Sequence, residues 1–299
     1  MIKWKHQDVM KENIINIQII LYFSSGHLPK LLSSIKNLDV KDQKVCFFLV
    51  DQSENENEYN KVLKEWKNFK EINGISLKLS KQRNYGFGKG HNEIYRKNKK
   101  VYKDFFIILN PDSILHSDLI INISRYLDSL KDIRWGLLEL KQFPSENPKS
   151  YNPVTLETNW ASGAGTIINC NAFKKVGMFD ENIFMYGEDV DLSIRMRIAH
   201  YLVLTLPNAK FTHLTKDTDI SKESDFTRVN KQAAELYLRY KFAKDSDVKA
   251  YMKLFGEEDP HFEEIVKKYK SMRRKLKKRT FYKDFVDKNQ DYTNFRWVL

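Results

Sequence analysis

Short apolar runs alternate with helical periods through the first 110 residues, and this alternation narrows the fold more than any other property of the sequence. Ile14 to Phe23 (IINIQIILYF) is a β-branched apolar run closed by Ser24-Ser25-Gly26, the pattern of a buried strand entering a loop. Leu28, Leu31, Leu32, Ile35 and Leu38 then recur at helical spacing. Val45 to Val50 (VCFFLV) reads as a second buried strand ending at Asp51, and Glu58 to Phe69 as a helix carrying Val62, Leu63, Trp66 and Phe69. Ile75 to Leu79 is a short strand; Asp104 to Leu109 is another, followed by Asn110-Pro111-Asp112. Alternation of this kind gives a mostly parallel sheet with helices on both faces. Ligands of such sheets sit beyond the carboxyl ends of the strands, where Asp51 and Asp112 both stand. For Asp51, a turn residue capping the next helix is an equal reading.

A chain of 299 residues with 41% hydrophobic and 13% aromatic residues can fill a sizeable core, which excludes global disorder. Its length suits one large domain, or a catalytic domain with an appendage. The apolar runs fall far short of the roughly 20 residues a membrane span needs. Met1 to Asn16 is too polar for a signal peptide. Cys46 and Cys170, the only cysteines, both lie in apolar runs. That excludes a disulfide scaffold or a Cys-rich zinc module and suits a reducing compartment. The expectation is a soluble, cytoplasmic, globular protein.

Half of the net charge of +12 falls in the last 85 positions, which carry 21 basic and 15 acidic residues. Within them, Ile265 to Thr280 (IVKKYKSMRRKLKKRT) holds nine basic residues and no acidic one. The interleaved Ile265, Val266, Tyr269, Met272 and Leu276 make this an amphipathic helix rather than a loose arm. Such a helix can face solvent or a protein partner, lie on an anionic membrane surface, or bind nucleic acid, in falling order of support. No RNA-binding aromatic signature, zinc finger or recognition-helix pattern accompanies it. The rest of the tail from Asp225 also reads as helical, with a break at Gly256 to Pro260 (GEEDP).

Two segments carry chemistry. Arg83 to Asn92 (RNYGFGKGHN) places Gly86, Gly88 and Gly90 within five positions. It is not the dinucleotide fingerprint, which needs glycine where His91 stands, nor a Walker loop, since no Ser or Thr follows a Gly-Lys pair. A phosphate-approaching loop and a bend under a helix N-terminus are both open readings. Between Asn159 and His213, Ala164 to Asn169 reads as a strand, Ala172 to Val176 as a short helix, Gly177 to Asp180 as a turn, and Asp189 to Arg197 as a helix. Glu188, Asp189 and Asp191 crowd its first turn, where the dipole favours ionised carboxylates. Asp191 is four residues from Arg195, a helical ion pair. Glu188 and Asp189 can cap the helix, but two adjacent acids exceed what a cap needs. His213 follows a strand-like stretch from Leu202 to Phe211; a lone histidine is more often structural than a ligand.

Taken in order, these blocks resemble the family 2 glycosyltransferases, in particular their bacterial rhamnosyltransferase-like branch. The blocks are Val50-Asp51-Gln52-Ser53, Asn84-x-Gly86-Phe87-Gly88-x-Gly90-x-Asn92, Leu109-Asn110-Pro111-Asp112 and Trp160-x-Ser162-Gly163-Ala164. After them come Gly177-x-Phe179-Asp180-Glu181-x-x-Phe184-x-Tyr186-x-Glu188-Asp189-x-Asp191-Leu192-x-x-Arg195 and His213. The resemblance covers about Ile14 to Thr215.

It implies a GT-A fold, an α/β Rossmann-like mixed sheet flanked by helices, over residues 1–215, with residues 216–299 as a helical basic C-terminal extension. It also implies metal-assisted, inverting transfer of a hexose or deoxyhexose from a UDP- or dTDP-linked donor to a glycan or lipid-linked glycan, in capsule, O-antigen or lipooligosaccharide synthesis. By position, Asp51 would meet the base or ribose. Arg83, Asn84, Gly86, Gly88, Gly90, Asn92 and Asn110 would lie along the donor. Asp112 and His213 would hold Mg²⁺ or Mn²⁺. Trp160, Ser162, Gly163 and Ala164 would floor the sugar and acceptor pocket. Asp189, with Glu188 beside it, would be the catalytic base.

The chemistry is coherent, since a hard cation stabilises the departing diphosphate and one carboxylate then suffices to activate the acceptor hydroxyl. Hydrolysis would ask for two carboxylates flanking the bond. Three departures stand out: Asn110 replaces the first acid of Asp-x-Asp, Tyr22-Phe23-Ser24 stands for Thr-Tyr-Asn, and Ala199-His200-Tyr201 for a Gly-aromatic pair. His200 reads as a helix-end residue. A sugar-phosphate nucleotidyltransferase would need a Gly-rich, Arg-containing loop after the first strand, which Ser24-Ser25-Gly26-His27 does not supply. A non-catalytic nucleotide-sugar-binding protein is the remaining alternative. The tail is expected to close over the acceptor side and hold the protein at the inner face of the cytoplasmic membrane. The Pro-containing segment Lys141 to Glu157 is expected to be irregular and to face the acceptor.

Overall fold

The computed structural model describes residues 14–69, 72, 74–146, 149, 151–214, 224–255 and 259–282. The polar N-terminus ahead of Ile14, the boundary at Thr215, positions 147, 148 and 150 of the Pro-containing segment, and the Gly256 to Glu258 part of the expected break lie outside the described residues.

Four parallel strands build the N-terminal half: β1 Ile14–Leu21, β2 Lys44–Asp51, β3 Ile75–Lys81 and β4 Phe105–Leu109, side by side in the order β3-β2-β1-β4. Between them run α1 Leu28–Lys36, α2 Glu56–Asn68 and α3 Phe87–Lys97. Their apolar runs follow from burial on both faces. In β2, Val45, Phe47 and Leu49 pack with α1, α2 and α4 (Leu119–Ser129), while Cys46, Phe48 and Val50 pack on the other side with α3. Both cysteines are buried and free, and burial pushes the Cys170 thiol up to about 11.

Beyond β4 the sheet is mixed, so the expected parallel arrangement holds for its first half only. β5 (Ser113–Leu115), β6 (Trp135–Phe143), β7 (Gly165–Asn169) and β8 (Leu202–His213) complete the order β3-β2-β1-β4-β7-β6-β8-β5. β7 is antiparallel to β4 and β6, because no helix among the described residues carries the chain from β6 back to the starting edge. β6 runs parallel to β8, and β5 pairs antiparallel with the end of β8, matching Ser113 to His213. Lys141, Gln142 and Phe143, expected in an irregular segment, are the last three residues of β6. Ladder bonds to β8 hold them extended, and irregular chain begins only after Phe143.

α5 (Cys170–Val176) ends in left-handed Gly177, the expected turn, and α6 (Glu188–Ile198) follows. Left-handed His200 (φ 59°) comes directly after α6, as a helix-end residue should. The tail forms α7 (Asp225–Phe242), α8 (Asp245–Phe255) and α9 (Phe262–Lys275). These helices share a core with the acidic helix: Val229, Ala233, Leu236 and Tyr237 of α7 cluster with Trp160, Ile183, Val190 and Ile194. Ile265, Tyr269 and Met272 bury one face of α9 in the same cluster. The basic run outlasts the helix. After Lys275 the chain turns extended and bonds back to the end of α7, Thr280 N–H to the Lys241 carbonyl at 2.9 Å and Tyr282 N–H to that of Phe242 at 2.8 Å.

Candidate active site at the carboxyl ends of the strands

Asp51 is the last residue of β2, 3% exposed, with one carboxylate oxygen accepting the Ser53 hydroxyl at 2.9 Å. The other oxygen, Oδ1, has no hydrogen-bond partner among the described residues. Burial raises its pKa, assisted by nearby Glu58 and opposed by Ser53 and Lys81. Capping of α2 falls instead to Asn55, whose side chain accepts the Glu58 N–H, so Asp51 is released from that duty. Glu58 in turn accepts both the backbone N–H (2.8 Å) and the hydroxyl (3.0 Å) of Ser25, fixing the loop after β1. That loop exposes Tyr22 and Phe23, packed edge to face at 5.0 Å, where the departure from Thr-Tyr-Asn lies.

The glycine block opens α3. Gly86 is its left-handed N-cap (φ 78°), and a Cβ there would lie 2.0 Å from the Phe184 carbonyl oxygen. A Cβ on Gly88 would stand 3.0 Å from that of Phe179, and one on Gly90 2.3 Å from Gln52 Nε2. All three glycines therefore have a packing reason: they let α3 press against β1, β2 and the Phe179–Glu188 region. Asn84 accepts the Gly86 N–H at 3.1 Å, and Arg83 is exposed just past β3. Asn92 is fully buried and spends its carboxamide on the Phe179 N–H and carbonyl and on Glu181. It braces the turn before α6, and its bonds point there rather than to the strand ends.

Asn110, Asp112 and His213 meet although β5, α4, β6, β7, α5, α6 and most of β8 separate them along the chain. His213 Nε2 lies 3.2 Å from Asp112 Oδ2 and 3.3 Å from Asn110 Nδ2. Its Nδ1 lies 3.1 Å from Oε1 of Gln142, a buried residue of β6. An amide oxygen only accepts, so Gln142 puts the proton on Nδ1 and leaves a lone pair on Nε2. Among the described residues no group of three or more His, Cys, Asp or Glu gathers to enclose a metal. The pair Asp112–His213 nonetheless fits a hard divalent cation. Its 3.2 Å separation is close to the edge of an octahedron with metal–ligand bonds of about 2.1 Å, and two protein ligands leave positions for phosphate and water.

Trp160 to Ala164 connects this pair to the acidic helix. The Ala164 carbonyl accepts the Asn110 N–H at 2.9 Å, and the Gly163 N–H donates to Asp189 Oδ2 at 3.0 Å. Asp189 Oδ1 accepts the Val190 N–H at 2.8 Å, so two backbone donors fix the carboxylate. The Ser162 N–H bonds Glu139 at 3.0 Å; Glu139 is itself ion-paired with buried Lys149, whose ammonium also donates to the Trp160 carbonyl at 2.6 Å. Trp160 is almost wholly buried, packed against Lys149 and the α7 cluster. Its indole is therefore enclosed in the core, with almost no surface left for a sugar to rest on. Glu188 is also buried, with its stem packed on Gly88.

α6 starts from two consecutive left-handed residues, Tyr186 (φ 67°) and Gly187 (φ 83°), a strained entry that needs outside support. The tail supplies it. Lys241 of α7 reaches Asp180 at 2.6 Å and also pairs with Asp191, which binds Arg195 at 2.6–2.7 Å as its spacing predicts. Tyr237 adds a bond to Asp180 at 2.8 Å. Burial alone would raise the Asp180 pKa, but the charge and hydrogen bond of Lys241 outweigh it and hold the carboxyl below the usual range. Gln142, the Glu139–Lys149 pair and Lys241 were not singled out from the sequence. Gln142 falls on the same face of β6 as buried Leu138 and Leu140, and Glu139 on that of Leu137, which is the signal that could have found them; Lys149 and Lys241 carry no local signal.

No family model matches the chain. It is 24% identical over 219 residues to rhamnosyltransferase WbbL of Escherichia coli K12, covering 61% of this chain and 79% of that protein. It is 40% identical over 115 residues to an N-acetylglucosaminyl-diphospho-decaprenol L-rhamnosyltransferase of Mycobacterium tuberculosis, a match spanning 36% of this chain and 35% of the relative. Among solved structures it superposes on the mannosyltransferase PcManGT of Pyrobaculum calidifontis, in complex with GDP-Man and Mn²⁺. That match has a TM-score of 0.55 at 11% identity, over 89% of this chain and 74% of the other.

Proposed function

We propose that this chain, a family 2 glycosyltransferase of the rhamnosyltransferase-like type with a GT-A fold, moves a deoxyhexose with inversion from a UDP- or dTDP-linked donor to a hydroxyl of a lipid-linked glycan in surface polysaccharide synthesis. The observation that carries the reading is the convergence of Asp112 and His213 beside the strand ends, joined through Asn110, Ala164 and Gly163 to Asp189. Its rhamnosyl character rests on the similarity to the two rhamnosyltransferases.

Asp112 and His213 Nε2 would hold Mg²⁺ or Mn²⁺, which when bound neutralises charge on the diphosphate leaving group. Gln142 keeps the imidazole in the tautomer that presents Nε2. Asp51 offers Oδ1 to the nucleoside. Asp189, oriented by two backbone N–H donors, takes the proton of the acceptor hydroxyl as that oxygen attacks the anomeric carbon. The bond from that carbon to the diphosphate breaks, the nucleotide diphosphate departs, and one displacement inverts the centre. Glu188, one position earlier, is the neighbouring acid.

Exposed Lys267, Lys270, Arg274, Lys275, Lys277 and Lys278 give the protein a basic face for an anionic membrane surface. Arg273 and Arg279 flank Tyr240, and Arg279 also binds Asp245. Charge reversal at Lys267, Lys270 and Arg274 should abolish co-sedimentation with phosphatidylglycerol vesicles; unchanged co-sedimentation removes this part of the reading.

The reaction is tested by incubating the protein with Mn²⁺, a panel of nucleotide sugars and a lipid-linked acceptor. Free nucleotide diphosphate is the expected product. Pyrophosphate would mark a nucleotidyltransferase instead, and neither product a binding protein.

A further inference from the structure

A cluster at the seam between the acidic-helix loop and the tail takes no part in the chemistry above. Phe184, in the loop before α6, and Phe226, in the first turn of α7, meet edge to face with centroids 6.4 Å apart, and Phe226 leaves 56% of its surface exposed. Lys268 of α9 stands by both rings, its ammonium 6.0 Å from the centre of Phe184 and 5.6 Å from that of Phe226. No salt bridge engages Lys268 among the described residues; Glu264, exposed one turn earlier on the same helix, is the carboxylate that acts on its charge. Burial lowers the pKa of this ammonium. On α7, Lys231 lies 5.4 Å from the centre of the Tyr186 ring, whose hydroxyl bonds Thr227 at 3.2 Å.

This arrangement borders the site. The Phe184 carbonyl accepts the Phe87 N–H at 3.0 Å at the start of α3, and Tyr186 precedes Asp189 by three residues. A partly desolvated cation that makes no salt bridge among the described residues, set beside two aromatic faces, suits an anion attached to an apolar or sugar surface. A nucleotide diphosphate at the strand ends is already provided for by Asp112 and His213. An acceptor that approaches Asp189 from the tail side carries its own phosphates if it is lipid-linked.

We propose that Phe184, Phe226 and Lys268 bind the sugar-diphosphate end of the lipid-linked acceptor, Lys268 contacting the diphosphate and the rings the adjoining sugar. The proposal rests on reading the chain as a transferase for such acceptors, and makes the tail the reader of acceptor chemistry.

The test uses two synthetic acceptors with the same sugar and alkyl chain, one joined through a diphosphate and one through a single oxygen. Lys268→Met should raise KM for the diphosphate acceptor about tenfold, several times more than for the ether acceptor, with Lys268→Arg restoring most of it. An equal effect on both acceptors, or none, overturns the site. Calorimetric titration with decyl diphosphate makes the same comparison without turnover. Binding by wild type that Lys268→Met loses supports the site even if no transfer occurs, and then only the transfer reading falls. Equal binding by both proteins overturns it. So does a Lys268→Met protein that loses phosphatidylglycerol vesicles as fully as decyl diphosphate, because the residue would then read a membrane surface.

Discussion

Asp51, which is buried, and Asp180, with 10% of its side chain exposed, are carboxylates in two halves of the candidate site, and they are treated in opposite ways. Asp51, at the end of a parallel strand, has one side-chain partner, an oxygen with none, and a raised pKa. Asp180, before the acidic helix, receives Lys241, Tyr237 and the Asn182 N–H, and its pKa is lowered. A buried acid with an unfilled valence is held ready for something that arrives, whereas one whose lone pairs are matched holds the structure. The strand-end half is thus incomplete in itself, and the tail-braced half is complete. Asp189 lies where the two join.

The comparison can be broken first at that junction. Asp189→Asn should lower kcat by about 10³-fold while donor binding, followed by tryptophan fluorescence, persists. If Asp189→Asn turns over normally and Glu188→Gln is dead, the base is Glu188. In the braced half, Lys241→Met leaves Asp180 and Asp191 without their shared cation, at a cost of about 3–5 kcal/mol in urea unfolding. A change below 1 kcal/mol would mean that the brace is not one.

In the strand-end half the expected losses are in binding. Gln142→Leu should weaken Mn²⁺ affinity in the presence of UDP, read by electron paramagnetic resonance, by about 10- to 100-fold, with Gln142→Glu keeping most of it. Equal affinity in Gln142→Leu and wild type would remove the tautomer argument. A further test concerns His91, fully buried between Gln18 and Phe87, whose pKa burial lowers to about 3. Because the unfolded chain takes up this proton near pH 6.5 and the folded chain does not, His91 contributes stability above pH 6.5. That contribution is lost as pH falls toward 3, by about 1.4 kcal/mol per unit. His91→Gln should flatten the slope of unfolding free energy between pH 6 and 4; an unchanged slope would place the titration elsewhere.

The alternation of apolar runs made β1 to β4 with α1 and α2 legible, since a strand buried on two faces leaves a continuous signal, whereas α3 lay hidden behind its glycines. The second half was less so. β5 is three residues long, and its pairing with β8 depends on residues about 100 positions away. Lys141 to Phe143 read as irregular because they open a segment, Lys141 to Glu157, that holds three prolines, yet cross-strand bonding keeps them in β6. At the site, Asp112 and His213 were named by resemblance, and the fold brings them together. Asn92 was assigned to the donor on the same grounds, but its carboxamide is engaged by the turn before α6. A motif fixes which residues recur, not which way each faces. Lys241 had no signal at all, since an ammonium on a helix otherwise rich in charge looks like any surface lysine until its two carboxylates are in view.

One helix, α7, carries Lys241 near its end and Phe226 and Thr227 at its start. A single rigid rod of 18 residues therefore touches both the carboxylates behind the reacting centre and the rim where an acceptor would enter. Grafting the tail of a relative to change which glycan is extended would also replace the strut beneath the acidic helix. With the tail as the proposed reader of the acceptor, acceptor choice and catalytic alignment would be coupled through this one helix, and engineering one would mean re-fitting the other.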